Sequence, residues 1–305
     1  MMNGQSVAML GRILLALWLA LGGVYFLPQS QAQAGTPADA YTIERYYSEN
    51  VTEQSTANTT FQDAVTLTFT PPATANYTVI ASALTNNSDT NYSTVVQLII
   101  DGTNYSETYH KPVDAALNWR SFGAHKVHSF TGATEHTVKI QYRTENAAGT
   151  AYIQRVAIAV VEVTNFYDVA QETEISTTSA SYVDAVTFTF TPPVQADYLI
   201  LVTANLRSST SGKNAAMQWT IDGTADPNSE VIQPGTNYMS WGHIERENLT
   251  AASHTFKIQY HTESPSTAYI KSARITAILL TDLGSDQYQE SEAESKTTSS
   301  TYVDK

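Results

Sequence analysis

The residues able to do chemistry fall into three sets: carboxylates, histidines, and aromatics that stand beside asparagine. The carboxylates recur. Asp63 and Asp184, Asp101 and Asp222, and Glu145 and Glu263 hold matching places in two similar stretches. A catalytic carboxylate needs its own partner and its own pocket, whereas recurrence in both copies points to a shared structural cause. Asp101 and Asp222 precede Gly, where Asp is favoured in a tight turn by its local hydrogen bonds. Asp63 and Asp184 stand ahead of a strand, where a carboxylate can cap the turn. Calcium coordination is the alternative, but the chain has neither an EF-hand loop nor a Gly-rich calcium repeat.

The chain has seven histidines: His110, His125, His128, His136, His243, His254 and His261. No HExxH or comparable zinc spacing links them. His125 and His128 lie three apart in a strand pattern, which puts them on opposite faces and argues against a shared metal. His136 and His254 recur just before a strand, as turn hydrogen-bonding residues would. There is no Gly-x-Ser-x-Gly elbow, phosphate-binding loop or dinucleotide fingerprint. The sequence therefore predicts a non-enzymatic chain with no catalytic residue, metal ligand or cofactor.

The aromatic set is the more specific. Asn118-Trp119-Arg120-Ser121-Phe122-Gly123 is matched by Asn237-Tyr238-Met239-Ser240-Trp241-Gly242. Both read Asn-aromatic-x-Ser-aromatic-Gly. On a strand, the two aromatics of each pair point to opposite faces, so one enters the core and the other stays outside. An exposed aromatic beside Asn can stack on a sugar and hydrogen-bond it. Asn118, Trp119, Phe122, Asn237, Tyr238 and Trp241 are thus the candidate ligand-binding residues, against the plainer reading that one ring fills the core and the other packs under a loop.

These residues sit on a repeat. Asp63–Pro72 reads DAVTLTFTPP and Asp184–Pro193 reads DAVTFTFTPP, 121 positions apart. Apolar residues alternate with Thr and the run stops at Pro-Pro, the pattern of a strand with one buried face. Val65, Leu67 and Phe69 share a face, as do Val96, Leu98 and Ile100, and then Val138, Ile140 and Tyr142. The second copy repeats them as Val186/Phe188/Phe190, Met217/Trp219/Ile221 and Phe256/Ile258/Tyr260. Asp101-Gly102 marks a hairpin turn. The stretch from about Tyr152 to Val163 is apolar on both faces in places, so it is central or covered on its outer side. The prediction is an all-β chain of two tandem, jelly-roll-like antiparallel sandwiches, at residues 41–163 and 164–283.

The opening apolar strand, the Pro before a Tyr-led strand, the mid-unit x-Asp-Gly hairpin and the aliphatic closing strand resemble the jelly-roll heads of the tumour-necrosis-factor and complement-globular-head superfamily. They resemble more closely the jelly-roll repeats of secreted bacterial surface proteins. The resemblance covers both units and implies interaction or assembly rather than catalysis.

Compartment follows from the ends and the composition. Arg12, the apolar run 13–27 and Ala32-Gln33-Ala34 form a secretory signal peptide over residues 1–34, followed by a polar linker at 35–40. The chain has no Cys, so each core must hold without disulfides. Its formal net charge of −13 argues against nucleic acid as a partner, and no later stretch is apolar and long enough to span a membrane. Residues 284–305 repeat the lead-in of a unit and stop before its apolar strand. They read as the incomplete start of a third repeat in a truncated array, or as a donor strand for a filament. The expected role is a secreted or cell-surface structural and adhesive repeat protein, with other surface proteins or glycans as partners and self-association allowed. The alternative is a pair of carbohydrate-binding modules, accessory to a longer enzyme.

Overall fold

The computed structural model describes residues 44–110, 119–226, 230–233 and 235–280. The predicted signal peptide, the linker, the start of a third repeat and Asn118 lie outside the described residues. Nineteen strands and no α-helix form there. The first nine are β1 (Arg45–Asn50), β2 (Gln54–Thr56), β3 (Gln62–Phe69), β4 (Ala75–Asn87), β5 (Thr94–Ile100), β6 (Thr103–His110), β7 (Arg120–Phe130), β8 (His136–Thr144) and β9 (Ala151–Glu162). One sheet runs β1-β9-β4-β7, with β2 continuing β1 along β9, and the other runs β3-β8-β5-β6. Every pairing is antiparallel. Counting β1 and β2 as one interrupted strand, eight strands stand in the orders 1-8-3-6 and 2-7-4-5, which is a jelly roll.

The second unit repeats this order. It contains β10 (Phe166–Gln171), β11 (Ile175–Thr177), β12 (Val183–Phe190), β13 (Ala196–Ser208), β14 (Ala215–Ile221), β15 (Thr224–Ala225), β16 (Val231–Gln233), β17 (Met239–Leu249), β18 (His254–Thr262) and β19 (Ala268–Leu279). Its sheets run β10-β19-β13-β17 and β12-β18-β14, with β15 and β16 both pairing β14. Those two fragments stand where the first unit has the continuous β6.

Alternation places the cores. Val65, Leu67 and Phe69 are buried while Thr66 and Thr68 are exposed. Each buried aliphatic or aromatic side chain contributes about 1.5–3 kcal/mol to folding. The Asp-Gly turns form as the sequence predicts: Asp101 and Gly102 have φ of 47° and 79°, and Asp222 and Gly223 have 51° and 79°. Positive φ at both positions matches the right-handed twist of the flanking strands.

The closing strand is covered in both senses. β9 lies between β1 and β4. Its outward residues Ala157, Ala159 and Val161 form a third buried cluster with Leu199 and Leu201 of β13 and Ile278 of β19. The two sandwiches therefore meet face to face, and each contributes the same sheet.

Candidate functional site

The recurring carboxylates serve their own units. Asp63 bonds Lys139 Nζ at 2.7 Å and Gln141 Nε2 at 2.6 Å, and Asp184 bonds Lys257 and Gln259, each at 2.7 Å. This corrects the expectation of a turn cap: both Asp residues lie at a β-bulge, Asp63 within β3 and Asp184 within β12, and reach across to the neighbouring strand. Burial works to raise these carboxyls, but the Lys and Gln bonds outweigh it and hold both below the usual carboxylate range. Asp101 and Asp222 each take the Nδ1 of a histidine, His136 and His254, at 2.7 Å. They also accept the backbone N–H of Thr137 and Thr255. Glu145 and Glu263 accept the backbone N–H of Ser93 and Asn214. Asp101, Asp222, Glu145 and Glu263 pin a turn or loop to the sheet beside it, and Asp63 and Asp184 tie their strand to its neighbour.

Of the five predicted ligand residues that the structure describes, Phe122 and Tyr238 are buried and Trp119, Asn237 and Trp241 are half-buried. Phe122 is fully buried in the first core. Trp241, at the matching position, packs against the second core and stacks on His243 with ring centres 5.9 Å apart. Tyr238 is 8% exposed. Its hydroxyl donates to the Glu174 carboxylate, and Arg207 and Lys271 stand over its ring at 5.2 and 4.4 Å. Burial, then the Glu174 bond, pushes the Tyr238 hydroxyl well up, so it stays protonated. Asn237 is half-buried, and its carbonyl accepts from Gln233 Nε2 at 2.6 Å. Trp119 is half-buried, just before β7. The burial of Phe122 and Tyr238 leaves Trp119 and Trp241 as the half-buried rings of the two motifs.

The contact between the sandwiches is polar beside its apolar cluster. Ser240 of β17 donates to the carbonyl of Gly123 on β7 at 2.8 Å and accepts the Gly123 N–H at 3.1 Å. Thr108 of β6 donates to Asn205 of β13 at 3.1 Å. His125, on the outward side of β7, inserts between two hydroxyls of the second unit: Thr276 lies 2.9 Å from its Nε2 and Thr203 3.0 Å from its Nδ1. Burial, with help from the nearby Arg274 cation, holds the His125 pKa well below the ordinary range. Arg274 is buried and pairs with Asp168 and Glu172, and Glu172 also takes Lys126 of the first unit at 3.2 Å. A small apolar void of about 40 Å³, lined by Ile80, Ala124, Leu201 and Ile244 among others, lies in the contact.

A second arrangement lies in the second sandwich, where Asp226 after β15 meets β17. His243 Nε2 is 3.1 Å from Asp226 Oδ2 and 3.2 Å from Glu245 Oε2. The Trp219 indole donates to the same Asp226 oxygen at 3.1 Å. The side chains of Asp226, His243 and Glu245 are 10%, 18% and 16% exposed. The sequence reading missed this group. His243 and Glu245 are two apart on a strand and so share a face, which is visible in the sequence. Asp226 joins them only through the fold.

No family model matches the chain, and no curated protein matches it. Among solved structures it is similar to the insecticidal delta-endotoxin Cry8Ea1 of Bacillus thuringiensis, at 9% identity, 69% of this chain, 54% of that one and a TM-score of 0.27. It is similar to dimeric latent PorU of Porphyromonas gingivalis at 8% identity, 73% and 21% coverage and a TM-score of 0.30. It is also similar to the CBM22-1–CBM22-2 tandem domain of Paenibacillus barcinonensis Xyn10C at 9% identity, 80% and 100% coverage and a TM-score of 0.22. The chain spans about half of the endotoxin and a fifth of PorU. At these scores the jelly-roll assignment rests on the strand order of the chain itself.

Proposed function

We propose that this chain is a non-catalytic interaction protein of the cell exterior, in which two jelly rolls joined face to face act as one structural and adhesive unit. The carrying observation is the contact itself. Outward apolar residues of β9, β13 and β19 meet in one buried cluster, and Ser240, His125 and Asn205 bond across it. A chain of independent modules has no use for such a contact, whereas a load-bearing or surface-presenting unit does. The role of the recurring carboxylates in holding turns and tying neighbouring strands supports the same reading. No helix among the described residues is long and apolar enough to cross a membrane.

The test is binding without turnover. Purified chain coupled to beads is offered to intact cells and to a broad glycan panel, beside chromogenic esters, glycosides and peptides. Saturable binding with no substrate turnover is expected. Turnover that co-purifies with the chain would overturn the reading. Glycan binding is the second reading. It retains Trp119, which is outside the core cluster, so Trp119→Ala abolishing a positive glycan signal would favour it.

A further inference from the structure

We propose that Asp226, His243 and Glu245 form a binding site for a divalent transition-metal ion of the zinc class. Three protein ligands of one nitrogen and two oxygens suit that class, and a fourth position remains for water or an incoming ligand. The distances fit. Around an ion with bonds of about 2.0 Å, neighbouring ligands of a tetrahedron stand about 3.3 Å apart. The two carboxylate oxygens stand 3.1 and 3.2 Å from His243 Nε2. All three ligand atoms lie within 4.8 Å of one another.

Charge makes the same case. Two carboxylates converge on a single imidazole nitrogen, which carries at most one proton. A dication balances two carboxylates and takes the imidazole as a neutral ligand. An imidazole in the ligand set favours zinc, copper and nickel over calcium and magnesium.

The surroundings hold the ligands in place. The fully buried Trp219 fixes Asp226 through its indole N–H, the outer bond that tunes and orients a metal carboxylate. Trp219 and Trp241 flank the His243 ring at 5.7 and 5.9 Å, which restricts its rotation and lowers the local dielectric.

The fold does not require this group. At the matching places of the first unit stand Tyr105, Ala124 and Lys126, and the Lys126 ammonium lies 5.0 Å over the Tyr105 ring. The same mouth is thus closed by a cation and an aromatic in one sandwich and lined by acid and imidazole in the other. β17 keeps the place of β7, and at Asp226 the residue set departs from its own repeat where β15 and β16 replace the continuous β6.

The experiment uses untagged chain, stripped with chelator and titrated with Zn2+ by calorimetry, and with Co2+ by visible absorption. One saturable site at about micromolar affinity or tighter is expected, with a four-coordinate Co2+ spectrum displaced by Zn2+ and indifferent to Ca2+. His243→Gln and, separately, Glu245→Gln each lower affinity by at least about 100-fold, while His254→Gln, at the start of β18 and bonded to Asp222 instead, leaves it unchanged. Far-UV circular dichroism shows which variants stay folded, and Glu245→Gln serves if His243→Gln does not. No saturable Zn2+ binding by the unmodified chain, or equal affinity in a folded His243→Gln or Glu245→Gln, overturns the proposal.

Discussion

His125 and Thr276, 151 residues apart in the chain, share a hydrogen bond of 2.9 Å between the two sandwiches. With Thr203 on its other nitrogen, the imidazole is held neutral, donating through one nitrogen and accepting through the other. A strand residue that would face water in an isolated sandwich is here an internal part of the molecule. The contact is therefore sensitive to whatever charges that ring.

Stability should fall on acidification below neutrality. His125 and His110 are both buried and held below the usual histidine value, His110 at about 3. Between the folded and unfolded values only the unfolded chain binds the proton, so unfolding free energy drops as pH falls. Each histidine contributes about 1.4 kcal/mol per pH unit in that window. Urea unfolding from pH 7 to pH 4 measures it, and His125→Asn should flatten the slope.

The two Asp-Gly turns should respond alike to alanine. Gly102 and Gly223 have φ of 79° and open space where a methyl group would project, so the cost is backbone conformation rather than collision. Gly102→Ala and Gly223→Ala should each lower stability by about 1–2 kcal/mol, read from the shift of the urea midpoint.

Trp119 and Trp219 should separate by severity. Trp219 is fully buried in the second core, and Trp219→Ala should cost about 3–5 kcal/mol. Trp119 is half-buried before β7, and Trp119→Ala should cost less than about 1 kcal/mol. Thermal melts of the two variants compare them directly.

Much of the fold was legible because one face of each strand is dry. Val65, Leu67 and Phe69 declared their face by alternation, and Asp101-Gly102 declared its turn by chemistry that few other pairs supply. The covering of β9 was also legible, since its outward Ala157, Ala159 and Val161 are apolar; what covers it was not. Which aromatic of each pair turns inward depended on the neighbours of β7 and β17, and a three-residue spacing cannot assign it. The polar contact was hidden for a different reason. Thr203, His125 and Arg274 look like solvent-facing strand residues until a second sheet is laid over them. Asp184 misled because a bulge places it inside its strand.

The claim on which the account depends is that the two sandwiches work as one joined unit, and the Gly123 amide tests it. β7 is an edge strand, and this N–H donates to Ser240 of the other sandwich rather than to a partner in its own sheet. Hydrogen exchange of the Gly123 amide, followed by NMR in the full chain, reads whether that contact exists in solution. Strong protection that is lost in Ser240→Ala, while neighbouring ladder amides stay protected, is the predicted result. Exchange at the rate of an open edge strand, unchanged by Ser240→Ala, would contradict it.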